Sequence, residues 1–260
     1  MTALAPLDVR LMNATAAVLF TVLAVLLLGA FAWWAVRHPL FALGGITVQG
    51  EITHNSAVNF RANVAPKLTG NFFTVKLDAV REAFEGVPWV RQATVQRHFP
   101  NRLRVVVQEH KAVALWGAER DSLLLNDFGE VFEANVGDVE QDGLPRLGGP
   151  DGESTQVLAM YRALLPLLEP LDLGISELRL TGRGSWQLEL DTGASVEMGR
   201  GSLQEVVART ARFLKTLTQV TAKYERRPEA LLSADLRHAN GYAVQLRGVS
   251  TTSGADAKKK

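Results

Sequence analysis

The sequence contains no cysteine. That excludes disulfides, thiolate zinc sites and a cysteine nucleophile together. It also lacks an excess of either charge. With 28 Lys and Arg against 27 Asp and Glu, no global field draws the chain to nucleic acid, and none is expected as a partner. The five histidines, His38, His54, His98, His110 and His238, never fall at i,i+4 spacing or inside a metal signature. No Ser occupies a Gly-x-Ser-x-Gly elbow, and no Ser-x-x-Lys occurs. The expectation is a chain with no catalytic residues, no metal and no cofactor.

What is present begins with a run that lacks charge altogether. Leu11 to Val36 holds 26 residues without Asp, Glu, Lys or Arg. As a helix it would reach ~39 Å, more than the ~30 Å of a hydrocarbon core. Trp33 and Trp34 close the run just before Arg37 and His38, where an interfacial aromatic belt belongs. A cleaved signal peptide is the alternative, and Ala30-Phe31-Ala32 fits its small-x-small site. The run exceeds the usual ~7–15 apolar residues of such a leader, which favours a retained transmembrane helix. Arg10 is offset by Asp8 and Arg37 stands alone, so loop charge does not orient the helix.

Two folded units follow. In the first, "GGITVQG" is a short strand between turn glycines. "NSAVNFRANVAPKL" is a helix with Asn55 or Ser56 as cap and Val58, Ala62 and Ala65 on one face. "LDAVREAFEGVPWV" is a second helix, with Leu77, Val80, Ala83 and Phe84 turned inward and Gly86 and Pro88 stopping it. A hairpin closes the unit, turning at Phe99-Pro100-Asn101-Arg102, with Leu103, Val105 and Val107 on one face of its return strand. Its arginines, Arg91, Arg97, Arg102 and Arg104, read as solvated strand positions. Strand, helix, helix, strand, strand is a small α+β unit.

The second unit reads as strands with two helices. "SLLLNDFGEVFEA" is a hairpin turning at Asn126-Asp127-Phe128-Gly129. "STQVLAMYRALLPLLEPL" is amphipathic through Val157, Leu158, Tyr161, Leu164, Leu165 and Leu168, with a kink expected at Pro166. "ISELRLTGRGSWQLELDTGASVEM" alternates through three strands. Leu203 to Tyr224 is the longest soluble helix, burying Val206, Val207, Thr210, Phe213, Leu214, Leu217 and Val220. "LLSADLRHANGYAVQL" ends the fold as a strand or hairpin, and "STTSGADAKKK" is too polar to pack. Gly-Arg-Gly-Ser occurs at 182–185 and at 199–202. Both read as turns, because Ser202 and Glu205 form a capping box that already uses the second copy's donors.

The β-α-α-β-β order resembles a POTRA module, a polypeptide-binding domain of bacterial envelope proteins. The ordered set "ITVQGEITHNS", "NFFTVKLDAVREAF", "PWVRQATVQRHFPNRLRVVVQEHKAVALW", "LPRLGGP", "RGSWQLEL" and "ADLRHANGYAV", placed behind a membrane helix, resembles the FtsQ/DivIB family. The resemblance implies an α+β chain in five parts. A cytoplasmic tail (1–10) precedes the transmembrane helix (11–36) and a POTRA domain (41–110). A mainly antiparallel β domain with two helices (111–248) and a disordered tail (249–260) follow. It further implies a non-enzymatic septal scaffold of the inner membrane, single-pass with its bulk periplasmic. Through its last strand such a scaffold recruits FtsB, itself coiled with FtsL, and the POTRA domain meets other division proteins. Carried onto this sequence, the contact residues are Arg183, Arg237, His238, Asn240, Gly241, Tyr242, Val244 and Leu246. His238 and Leu246 stand where other members carry aromatics. On pattern alone Arg183 and Arg237 are solvated strand positions. The other class to weigh is a membrane-anchored POTRA chaperone of secretion or outer-membrane assembly. Such a chain would carry a β-barrel or several POTRA copies, and neither is legible here.

Overall fold

The computed structural model describes residues 7–38, 41–118, 123–238 and 241–249. The chain divides into two compact units, Met1–Glu109 and His110–Lys260.

Helix α1 (Leu7–Arg37) extends past the charge-free run at both ends, with Asp8 in its first turn, where a carboxylate suits the helix dipole. Its stretch Asp8–Trp34 has a mean hydropathy of 2.5 over its most apolar window, none of it buried within the chain. Both threonines inside the run satisfy their hydroxyls on the helix backbone. The Thr15 hydroxyl donates to Leu11 O at 3.0 Å and the Thr21 hydroxyl to Ala17 O at 2.7 Å, as a helix in lipid requires.

The small unit contains β1 (Gly45–Gln49), α2 (Ala57–Val64), α3 (Leu77–Glu85), β2 (Val90–His98) and β3 (Arg102–Glu109). The sheet order is β1-β3-β2, with β1 parallel and β2 antiparallel to the central strand. Leu103, Val105 and Val107 face the core at 0%, 0% and 2% exposure, as their alternation predicts. The α3 face is also as expected, with Val80, Ala83 and Phe84 buried. The α2 face is not. Val58 is 75% exposed, while Phe60 and Val64 are buried. Eight residues are too few for periodicity to decide. The larger apolar area of Phe60, packed on Phe84 with ring centroids 5.4 Å apart, outweighs Val58 and two alanines. Ser56 is the cap, accepting from Asn59 N.

At one end of this sheet the Glu109 carboxylate, with its side chain 6% exposed, holds the chain after β1. It accepts the backbone N–H groups of Thr53, His54 and Asn55 at 2.8 to 3.0 Å, and the Asn55 amide besides. His54 lies flat on Trp89, centroids 3.8 Å apart. Burial pushes the Glu109 carboxyl up, but those hydrogen bonds prevail and hold it below its ordinary value.

The large unit runs β4 (Ala112–Trp116), β5 (Leu123–Asn126), β6 (Val131–Glu133), β7 (Arg146–Gly148), α4 (Ser154–Leu168), β8 (Ile175–Leu180), β9 (Ser185–Leu190), β10 (Ser195–Arg200), α5 (Leu203–Lys223), β11 (Leu231–Asp235) and β12 (Ala243–Leu246). Among the described residues they form one sheet of nine strands, ordered β12-β11-β10-β9-β8-β7-β4-β5-β6. It is mixed: β4 with β7, β7 with β8 and β10 with β11 are parallel joins, and the others are antiparallel. α4 and α5 pack against one face and each other. Leu178, Leu180, Trp186, Leu188 and Leu190 point into that layer. The alternate positions Glu177, Arg179, Gln187, Glu189 and Glu197 are polar.

Pro166 lies in the last turn of α4, which ends two residues later, so little helix remains for a kink to redirect. The α4 face also buries Met160, which the pattern missed, and leaves Leu165 37% exposed. On α5, Val206, Thr210, Phe213, Leu214 and Leu217 are buried as expected, with Val207 and Val220 at the flanks. Thr210 is tolerated inside because its hydroxyl donates to Val206 O at 2.9 Å. Asn126, fully buried, fixes the β5–β6 turn by accepting from Phe128 N and Glu130 N and donating to Glu130 Oε2 at 2.7 Å.

Candidate interaction site at the last strand

Residues 236–242 connect β12 to β11, and Gly248, just beyond the end of β12, has a φ of 74°. β12 pairs antiparallel with β11, with Asp235 opposite Ala243, Ala234 opposite Val244 and Ser233 opposite Gln245. Among the described residues no strand lies on its other side. Just past its end, Arg247 donates its N–H to Ala230 O at 2.7 Å. Strand alternation then turns the peptide groups of Gln245 and Ala243 toward β11, and the N–H and C=O of Val244 and the N–H of Leu246 toward the open edge, while the Leu246 C=O accepts from Val249 N at 3.3 Å.

The side chains divide the other way. Leu246 is 5% exposed, and Tyr242 and Val244 pack against the core. The Tyr242 hydroxyl donates to Thr216 Oγ1, and its ring meets Phe213 edge-on at 5.0 Å. Ala243 and Gln245 are exposed. Three side chains expected to touch a partner thus serve this chain's own core, and what the strand offers outward is backbone. Gly241 is exposed, and Asn240 lies outside the described residues.

The cations converge by topology. β8, β10 and β11 run in the same direction, since β8 and β10 both oppose β9 and β10 parallels β11. Arg183, just past β8, Arg200 at the end of β10, and Arg237, just past β11, therefore share one end of the sheet with the start of β12. Arg183 sits exposed in the β8–β9 turn, and no partner of its side chain is found among the described residues. Arg237 is engaged. Its Nη2 lies 2.6 Å from Asp235 Oδ2 and its Nε 2.9 Å from Oδ1. Hydrogen bonds from Arg237 hold the Asp235 carboxyl down to about 2. His238 is exposed beside them. The sequence reading missed Arg200 and Arg209, whose nearness depends on strand direction. Arg209 donates to Met198 O, and to Arg200 O at 3.2 Å. Gly199, at φ 79°, makes room: a Cβ there would stand 3.1 Å from both Arg237 Cγ and Arg209 Nη1.

Both Gly-Arg-Gly-Ser copies are turns. The first closes the β8–β9 hairpin, with Gly184 N donating to Thr181 O at 2.8 Å. In the second, Ser202 and Glu205 form the capping box on α5. Among the described residues no cluster of three or more His, Asp or Glu could hold a metal.

An apolar helix of membrane length, a POTRA fold and a helix-backed sheet with an unpaired last strand define a class: proteins with an N-terminal apolar helix that carry a POTRA domain ahead of a β domain. Comparison with known proteins agrees. The sequence profile of the POTRA domain, FtsQ-type, matches residues 41–110, and that of cell division protein FtsQ/DivIB, C-terminal, matches residues 114–237. Cell division protein FtsQ of Burkholderia pseudomallei (strain K96243) is 37% identical over 254 residues, covering 97% of this chain and 99% of that protein. The FtsQ of Bordetella pertussis (strain Tohama I) is 35% identical, with 97% of each chain covered. That of Vibrio cholerae serotype O1 is 31% identical, covering 86% of this chain and 84% of that protein. The chain belongs to the FtsQ/DivIB family of cell-division proteins.

Proposed function

We propose that this cell-division protein is a septal scaffold of the inner membrane, anchored by α1 with its bulk in the periplasm, and that it recruits FtsB, together with FtsL, by adding a strand of FtsB to β12. The observation that carries the reading is the open edge of β12. An extended segment that pairs with the outward N–H and C=O of Val244 and the N–H of Leu246 would extend the sheet by one strand. Arg237 beside the start of that edge, with Arg200 and Arg183 farther along the same end of the sheet, favours a partner with carboxylates at the matching end. Recognition through backbone asks little of the side chains at 238 and 246, where the aromatics found in other members are missing.

Amide hydrogen exchange on the full chain tests this. The outward amides of Val244 and Leu246 exchange quickly in the free protein and slowly once the FtsB–FtsL pair is added, while those of Ala243 and Gln245, already bonded to β11, change little. Unchanged exchange at Val244 and Leu246 in a complex that still forms would place the partner elsewhere.

A further inference from the structure

The POTRA domain presents two phenylalanines to solvent at one end. Phe99 is 73% exposed and Phe73 47%. They belong to one aromatic group, with ring centroids 4.8 Å apart for Phe41 and Phe73, 5.2 Å for Phe72 and Phe73, and 6.3 Å for Phe72 and Phe99. The group is held in place. Asn71 Oδ1 accepts from Phe73 N and Thr74 N, both at 3.0 Å. Arg97 donates to Phe72 O at 2.8 Å and to Val75 O at 2.7 Å. A loop fastened this firmly, with its ring still facing outward, marks a contact surface.

Chain length says what the surface meets. α1 ends at Arg37, and Phe41 N donates back to His38 O at 3.0 Å while Phe41 O accepts from Phe72 N at 2.9 Å. Four residues span at most ~14 Å, so these aromatics stay near the point where α1 leaves the bilayer. Gly44 N, bonded to Asn101 O at 2.8 Å, ties the turn that carries Phe99 to the same place. Trp33 and Trp34, 62% and 57% exposed on α1, already stand at interfacial depth.

Charge points the same way. Residues 66–76 and 96–104 carry Lys67, Lys76, Arg97, His98, Arg102 and Arg104, and no Asp or Glu. The β1–β3 register, from Gly45 opposite Arg102 to Gln49 opposite Val106, puts Glu51 and Glu109 at the opposite end. Lys76, Arg97 and Arg102 thus lie at the aromatic end, with Asp78 in the first turn of α3 near them, while the Lys67 ammonium reaches toward Gly86 at the other end of α3.

We propose that this end of the POTRA domain docks on the lipid surface. Phe73 and Phe99 enter the headgroup–acyl boundary, and Lys76 and Arg102 pair with the phosphates of anionic lipids. The occupant is lipid, because a fixed aromatic patch tethered this close to the bilayer meets headgroups before any soluble partner. The inference rests on α1 as the anchor, which co-elution of the chain with lipid discs reads separately.

The absence of native cysteine makes the test direct. Phe73→Cys, Phe99→Cys and, as control, Val58→Cys each give the full chain a single thiol for a nitroxide label. Val58 is equally apolar and 75% exposed but lies past the far end of β1. The chains go into nanodiscs of phosphatidylglycerol with phosphatidylethanolamine, or of phosphatidylcholine. Labels at 73 and 99 are expected to collide more with oxygen and less with an aqueous nickel chelate than the label at 58. Arg102→Glu in the Phe99→Cys chain removes the added depth on the anionic disc, lowering that preference by about fivefold or more. Should Phe73→Cys disturb the loop, the label at 99 decides alone. Labels at 73 and 99 as wet as that at 58 in both discs would overturn the proposal. So would protection that arises only when the FtsB–FtsL pair is added, which would assign the patch to a protein.

Discussion

Arg247 and Ala230 are joined by a backbone hydrogen bond of 2.7 Å, and that bond sets the parity of the last strand. It makes Val244 an outward residue and Gln245 an inward one, so two adjacent proline substitutions should behave differently. Val244→Pro removes an N–H that the domain does not use. It should lower the thermal transition only by about as much as Val244→Ala does, through lost side-chain packing, and weaken FtsB binding by more than about tenfold. Gln245→Pro breaks a ladder bond to β11 and should lower the transition itself. Val244→Ala, which keeps the N–H, should cost only a few-fold. Calorimetry of each variant beside its binding isotherm separates these cases, and a folded Val244→Pro chain that binds at full strength would end the strand-addition mechanism.

The ion pair between Arg237 and Asp235 competes with any carboxylate a partner brings. Asp235→Asn should therefore free the guanidinium and tighten FtsB binding by about two- to fivefold. Arg183→Glu should loosen it, and reversal of an acidic residue in the partner should restore part of the loss. Titration calorimetry at low and at high salt checks both, since each effect should shrink as salt rises.

The same pair has a pH signature. Arg237 depresses the Asp235 carboxyl to about 2 in the folded chain. The folded state therefore resists protonation that the unfolded state accepts near pH 4. The stabilisation is complete above about pH 4 and is lost as pH falls toward 2. Glu109 and Glu205 are depressed as well and act in the same direction, so the informative quantity is a difference. Unfolding free energy against pH for the native chain minus that for Asp235→Asn should slope between about pH 4 and 2 and be flat above. A flat difference throughout would show the pair to be absent in solution.

Glu109 organises the residues after β1 by accepting three consecutive N–H groups. Glu109→Ala leaves those donors to water or to nothing and should destabilise the POTRA unit by about 2–4 kcal/mol. Because that unit is distinct from the one that carries β12, FtsB affinity should hold. A loss of FtsB binding in step with the stability loss would mean the two units are not independent.

Topology is checked by a reporter that is active only outside the cytoplasm, fused after Leu246. It should be active while the chain remains in the membrane fraction, and protein sequencing should find no new N-terminus beside Ala32 or Trp33. A mature chain beginning there would make α1 a leader and not an anchor.

Much of this was legible from residues close together in the chain. Leu103, Val105 and Val107 alternate, and they line the POTRA core. Ser202 and Glu205 are three apart, and they cap α5. Where the local signal was short, other forces decided. The α2 face was misread because the area of one phenylalanine outweighs the pattern of a helix of two turns. β4 and β7 were not read as strands at all. Three residues, Arg146 to Gly148, extend only because β4 and β8 flank them. At the candidate site the sequence pointed to the last strand, and the direction of its side chains came only from the structure. Tyr242, Val244 and Leu246 alternate as a half-buried strand does, yet nothing local says that the buried half faces α5.

The amino-acid sequence by itself determined the long apolar helix, the helix caps, the turns and the order of elements, because each depends on hydrophobicity, dihedral preference or hydrogen bonding within a few residues. Only the tertiary structure decided the nine-strand order, the parallel joins that bring Arg183, Arg200 and Arg237 to one end, and the place of β12 at an edge. Strand pairing joins segments far apart in sequence, and the free energy that selects one pairing over another comes from burying both partners at once.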